Sequence, residues 1–583
     1  MRRSVCRGTP QGGVLSPLLW NLAMNKLLLD LEERRIKVVA YADDVAILIR
    51  GKFPDTLCSL MHRTLKYVDT WAKTCGLSLN AAKTELVLFT RKYKIPDCRP
   101  LTLNGTLLLV GEKARYLGLT LDRKLSWKLN VQERIKKAAT ALYSCKRTVG
   151  LKWGLAPKIV HWLYTAIVRP IMTYGVLVWW PSLDKKTSIK KLDSIQRAAS
   201  LSITGALKTT PTSALSVMLH LLPIDLYCRQ LAAKAALRLR ESSMLKTNKW
   251  GHSRILGMFP GIPNTTDFCD SVNTYLDRPY TVHFPSREEW VNGLTNNENG
   301  VSIYTDGSKL NDQVGGGVYS ETIFANLSFR LPDHCSVFQA EILAISESLL
   351  MLNKSVVTVR DIFIYSDSQA ALKSLLSSKH SSKTVKECYK LLTTLAQYFS
   401  INLLWVPGHS NIIGNCKADE LARLGSSLQI SQDRLDIPMP LATCKLLIDR
   451  YTISAANSNW RQLNTCAISR LAWPEWNMGP TKSLLKLVRS AETKEKITTC
   501  IPNCNKTQCN TKQHHATGYG YGGNQNSIGH GYGYDYAPTS TARSPNQEFA
   551  TQSADVCNLT TSQLAARQCV PKDLLVSSDN AQE

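Results

Sequence analysis

The chain has no long hydrophobic run. Its most extended apolar stretch, Ile171 to Trp180, follows Arg169-Pro170 and falls well short of the roughly 20 residues that a spanning helix needs. No apolar segment follows Met1-Arg-Arg-Ser-Val-Cys-Arg, so the start does not read as a secretory signal. Disulfide architecture is absent too: the 17 cysteines are odd in number, scattered, and without framework spacing before residue 500. They read as reduced thiols of an intracellular protein, nuclear or cytoplasmic. Acidic residues are scarce in one half only. Residues 1–250 hold 42 Lys and Arg against 16 Asp and Glu, while the remainder balances at 29 against 29, so the net charge of +26 lies in the first half. Such a half points to a polyanion, nucleic acid, bound in a salt-dependent way. No membrane or small-molecule partner is expected.

A length of 583 residues suggests three or four domains. The most informative stretch is Val301 to Gly425. Val301-Ser-Ile-Tyr-Thr-Asp306 and Asp361-Ile-Phe-Ile-Tyr-Ser-Asp367 are β-branched and aromatic runs that each end on a carboxylate. Between them Ser336 and Gln339 stand at capping-box spacing ahead of an apolar-periodic helix carrying Glu341. A strand–helix–strand crossover makes the two strands parallel and sets Asp306 beside Asp367, with Glu341 leaning in from the helix. Further on, Ile401-Asn-Leu-Leu-Trp-Val-Pro-Gly-His409 reads as a strand entering a turn. Asn415-Cys-Lys-Ala-Asp419 opens a helix that closes at Gly425. Oxygen ligands this dense suit two Mg²⁺ ions, with Mn²⁺ as substitute, rather than zinc.

Tyr-Thr-Asp306-Gly-Ser, Gln-Ala-Glu341, Tyr-Ser-Asp367-Ser and Trp-Val-Pro-Gly-His409 with Ala-Asp419-Glu-Leu-Ala resemble the ribonuclease H family. That resemblance implies cleavage of the RNA strand of an RNA–DNA hybrid. Asp306, Glu341, Asp367 and Asp419 would hold the metals, and His409 would assist proton transfer and product release. No long basic insertion separates Asp367 from Asp419, where there is room for two helices. Tyr304, Tyr365 and Trp405 read as sheet packing.

The amino-terminal half carries a second constellation. Pro10-Gln11-Gly12 opens an apolar helix, and its glycines permit close backbone approach to a template or nucleotide. Tyr41-Ala42-Asp43-Asp44 lies between two β-rich runs, a hairpin with paired acids at its tip. Together these resemble the palm of reverse transcriptases, and more narrowly the polymerase of non-LTR, LINE-type, jockey-like retrotransposons. In that resemblance Lys83 would lie near the incoming triphosphate, and Tyr116-Leu-Gly118-Leu would form a primer-grip hairpin. The family's first metal-binding Asp precedes the Pro-Gln-Gly motif, and few residues stand ahead of Pro10. Asp43 and Asp44 are therefore expected to lack their partner, and the chain alone is not expected to polymerise DNA.

The expected fold is α/β and multidomain: a partial reverse-transcriptase palm (1–122), a helical thumb or connection (123–245), a loose linker (246–297) and a ribonuclease H domain with a mixed five-stranded sheet (298–428). A helical extension (429–498) and a low-complexity, disordered tail (499–583) complete it. His161, Trp162, Trp179 and Trp180 read as core. Cys500, Cys504, Cys509 and His514 have poor zinc spacing and read as incidental. The whole reads as an amino-terminally truncated retrotransposon polyprotein acting as a hybrid nuclease. The alternatives are an inactive nucleic-acid-binding remnant, a polymerase if the true start lies upstream, or a strand-transfer nuclease of similar fold.

Overall fold

The structure, a computed structural model, describes residues 12–94, 98–146, 155–245, 251–269, 278–291, 300–408 and 410–476. Pro10, Gln11, His409, the Cys500–His514 group and the low-complexity tail lie outside the described residues. The chain divides into two compact units: residues 1–174, 182–224 and 459–571, and residues 175–181, 225–458 and 572–583.

In the first unit, helix Ser16–Glu33 precedes the antiparallel hairpin of Lys37–Tyr41 and Asp44–Leu48. The helix buries Met24, Leu27 and Leu31 with Val68 from helix Pro54–Thr74. Lys113–Tyr116 and Leu119–Asp122 form a second hairpin, turned through Leu117 and Gly118, both at positive φ. Helices Lys128–Lys146, Pro157–Leu163, Lys186–Thr204 and Thr212–Met218 follow, as their apolar periodicity predicts. His161 is half-buried with its ring against the Leu219 carbonyl at 3.2 Å. The neighbouring Trp162 corrects the core expectation: at 57% exposed it faces out, because one residue along a helix turns the side chain away from the buried stripe. Among the described residues, no helix is long and apolar enough to cross a membrane.

The second unit contains the sheet. Its strands are β1 (Thr281–His283), β2 (Val301–Leu310), β3 (Gln313–Ser320), β4 (Ala325–Leu331), β5 (Asp361–Ser366) and β6 (Ser400–Trp405), in spatial order β4-β3-β2-β5-β6-β1. Strands β2 to β4 are an antiparallel meander; β2, β5, β6 and β1 run parallel. The five expected strands are thus joined by a sixth. Its three residues lie in the segment read as a linker, and Thr281 Oγ1 donates to Asn402 Oδ1 at 2.5 Å.

Helices α1 (Val337–Lys354), α2 (Gln369–Leu376), α3 (Lys383–Leu395) and α4 (Ile413–Ser427) accompany the sheet. The capping box at Ser336 and Gln339 is present and fixes the start of α1. Trp179 and Trp180, within this unit, are fully buried as expected.

Two flanking segments fasten onto the domain, and the described part of 246–297 around Asp267 is held rather than loose. The buried Asp267 carboxylate accepts from Ser382 Oγ at 2.6 Å, Thr384 N at 2.9 Å and Thr384 Oγ1 at 2.7 Å, so it caps α3 from outside. Asp267 N donates to the Met439 carbonyl at 2.9 Å, and Gln339 Nε2 to the Pro438 carbonyl at 3.0 Å. Buried apolar side chains hold the 246–297 segment as well, Ile255, Leu256, Phe259 and Tyr280 among them. The helix Ile224–Glu241, read from sequence with the thumb, joins this unit from Asp225 on, where Gln230 and Lys234 both reach Asp449 at 2.5 Å.

Candidate functional site

Parallel pairing of β2 with β5 sets Tyr304 opposite Tyr365 and Thr305 opposite Ser366, so Asp306 and Asp367 follow side by side. Thr305 Oγ1 donates to the Tyr365 carbonyl at 3.1 Å, and Trp405 Nε1 to the Asp367 carbonyl at 3.0 Å, fixing both strand ends. Tyr304 and Tyr365 stack with ring centroids 4.7 Å apart, which is packing, as the sequence suggested. Glu341, the fifth residue of α1, enters from the start of its second turn. It can do so because Gly307 has no side chain: a Cβ there would stand 2.6 Å from the Glu341 nitrogen.

Ligand oxygens of Asp306, Glu341 and Asp367 lie within 4.8 Å of one another, the one such group of three among the described residues. Asp306 and Glu341 are buried, and Glu341 Oε2 has no hydrogen-bond partner. Burial first, then the Asp367 and Asp419 carboxylates, push Asp306 up to about 7, against the opposing pull of Arg423. Burial, then Asp306 and Asp367, hold Glu341 well above the usual carboxylate range. An orphaned carboxylate oxygen beside two more acids is the donor set a hard divalent cation satisfies.

Asp419 does not join the three. It sits in mid-helix, half-buried, with its Oδ2 held by Arg423 Nη2 at 2.6 Å. Its helix is positioned by glycines the sequence reading did not single out. A Cβ at Gly317 would stand 2.5 Å from the Ala422 nitrogen, and one at Gly315 2.5 Å from the Gly425 carbon, so α4 lies directly on β3. Gly425 does not end the helix, which runs on to Ser427. It is a contact position where a Cβ would meet the Phe329 carbonyl at 2.6 Å. Asn415, one turn before Asp419, is buried with Oδ1 unpartnered. A Gly-Gly-Gly run inside a β pattern was the available signal for this close approach.

Residues of the other constellation are not gathered in this way. Asp43 and Asp44 are exposed at the hairpin tip, where Trp20 Nε1 donates to the Ala42 carbonyl at 2.9 Å. Lys83 is exposed at the end of a single helical turn capped by Asn80. Gly12 has a φ of +88° in open space. In the same unit a cleft is lined by Lys113, Arg115, Lys136 and Lys137 with Glu85 and Glu133. Both acids already accept short bonds there, at 2.6 Å from Arg115 N and Thr120 Oγ1.

Two family profiles match this chain: Reverse transcriptase (RNA-dependent DNA polymerase) over residues 1–121 and RNase H over residues 298–427. The Retrovirus-related Pol polyprotein from type-1 retrotransposable element R1 of Nasonia vitripennis is 30% identical over 226 residues, 38% of this chain and 67% of that protein. A second such polyprotein from Nasonia vitripennis is 26% identical over 43% of this chain and 63% of its own length. The RNA-directed DNA polymerase from mobile element jockey of Drosophila melanogaster is 26% identical over 35% of this chain, but only 22% of that protein is spanned. By the first of these relatives the chain belongs to the Pol polyproteins of R1-type non-LTR retrotransposons, and it carries a region that matches reverse transcriptase followed by one that matches RNase H.

Proposed function

We propose that the ribonuclease H domain cleaves the RNA strand of RNA–DNA hybrids using two divalent ions, Mg²⁺ or Mn²⁺ in its place. The observation that carries this reading is the convergence of Asp306, Glu341 and Asp367 around an unpartnered Glu341 Oε2. These residues would hold the cations, with Asp419 completing the set. Such ions, when bound, activate the attacking water and stabilise the leaving oxygen. The protein's own part is positioning: β2 and β5 present two acids in fixed register, and Gly307 lets α1 bring the third. By the same resemblance His409, which follows Gly408 in the sequence, would assist proton transfer and product release. The open side of the site would read the RNA strand through its 2′-hydroxyls and the DNA strand by shape. In the other unit, Lys113, Arg115, Lys136 and Lys137 line a cleft that would bind nucleic-acid phosphates.

The test is cleavage of an end-labelled RNA–DNA hybrid with Mg²⁺, with EDTA, and by Asp306→Asn. Cleavage by wild type with Mg²⁺ only, absent in the variant, supports the reading. Undiminished cleavage by Asp306→Asn removes it. For the polymerase region, exposed Asp43 and Asp44 with no third carboxylate beside them among the described residues favour a chain that does not extend primers by itself. Asp43-dependent primer extension on an RNA template would reverse that reading.

A further inference from the structure

We propose that Arg423 is an internal counter-ion of this centre, holding Asp419 in the cation-free protein and yielding it when a divalent ion binds. The inference rests on the two-cation reading above. Its first support is placement. Three of the four acids form a compact group, and the fourth is drawn instead to a guanidinium one turn along its own helix, at 2.6 Å. A guanidinium does not lose its proton, so it can release a carboxylate only by moving away.

The second support is freedom to move. The Arg423 side chain is 58% exposed, against 27% for Asp419. Pairs at i and i+4 with one exposed partner are weak and screened, so a divalent ion held by these acids would outcompete this one. The third is electrostatic reach. Arg423 acts on Asp306 as well as holding Asp419, so its charge reaches beyond its own ion-pair partner. Without a cation of some kind, four acids here repel one another in a partly dry site. Arg423 supplies one positive charge from within the chain. A purely structural Arg423 would do the opposite of a competitor: it would orient Asp419 for the ion, and its loss would weaken binding.

The two roles separate in a Mn²⁺ titration of the full chain, with free Mn²⁺ read by electron paramagnetic resonance, for wild type, Arg423→Gln and Arg423→Lys. Arg423→Gln is expected to tighten the weaker Mn²⁺ site by about three- to tenfold at low ionic strength, a gain that shrinks as salt rises. Arg423→Lys, which keeps the charge, is expected to stay near wild type. Unchanged or weaker Mn²⁺ binding in Arg423→Gln overturns the counter-ion role while leaving the two-cation reading intact. A wild-type chain that binds no Mn²⁺ overturns both.

Discussion

Asp43 and Asp44 close a hairpin whose strands, Lys37–Tyr41 and Asp44–Leu48, are as β-branched as the strand that delivers Asp306. Locally the two motifs look alike, a β run ending in acid. Their surroundings differ. The hairpin tip is exposed on every residue from Tyr41 to Asp44, and Ala42 takes a φ of +52° there. Asp306 is 6% exposed, with two more carboxylates in reach. Acidic residues become a metal-type centre only when independent elements converge and exclude water, because water screens an isolated pair and leaves it nothing to gain from an ion.

Neutralising Asp306 breaks this comparison most severely. Asp306→Asn is expected to lower hybrid cleavage about a thousandfold or more, by analogy with removal of one strong electrostatic contact at a reacting centre. The same change has a stability signature in EDTA. A carboxyl whose folded-state value is raised binds its proton more tightly folded than unfolded. Stability is therefore greatest below the ordinary value near 3.8 and falls as pH rises toward about 7. Wild type should lose thermal stability across that window. Asp306→Asn should lose less, and saturating Mg²⁺ should flatten the wild-type profile. A wild-type melting temperature that rises steadily from pH 4 to 7 in EDTA contradicts the burial argument.

Next in size come changes to the packing that makes convergence possible. Gly317→Ala would drive a methyl into the α4 backbone, at a cost of about 1–3 kcal/mol by chemical denaturation. It should also impair cleavage, since α4 carries Asp419. An alanine there that costs nothing would mean that α4 does not lie directly on β3. Asp267→Ala removes three bonds to the start of α3 and should cost about 2 kcal/mol, with cleavage retained at permissive temperature. Hydrogen exchange localised to the first turn of α3 would identify the lost cap.

What sequence could and could not show follows the same division. Asp306, Glu341 and Asp367 were legible because each lies in or next to an element with its own strong local signal: two β runs and a helix opened by a capping box at Ser336. The sixth strand was not, since Thr281-Val-His is too short to show alternation and pairs with residues 402–404, more than a hundred positions away. Nor was the fastening of Asp267 to α3, a long-range polar contact with no periodic trace. Asp419 was expected with the other acids. Its link to Arg423 was readable as an i, i+4 pair, but only the structure shows that this pair stands apart from the compact three.

The smallest expected effect is the sharpest control. Neutralising the hairpin tip with Asp43→Asn and Asp44→Asn together removes two adjacent exposed like charges. Its effect on stability should stay within about 0.5 kcal/mol, as for ordinary surface changes. Hybrid cleavage should equal wild type, because the acids proposed to serve it sit in β2, in α1 and just after β5. The melting temperature should also respond to Mg²⁺ to the same degree as in wild type. Should the double variant instead lose Mg²⁺-dependent stabilisation, the tip would be binding cations, and exposure would no longer separate the two motifs. The distinction would then have to rest on the number of converging carboxylates alone, three against two.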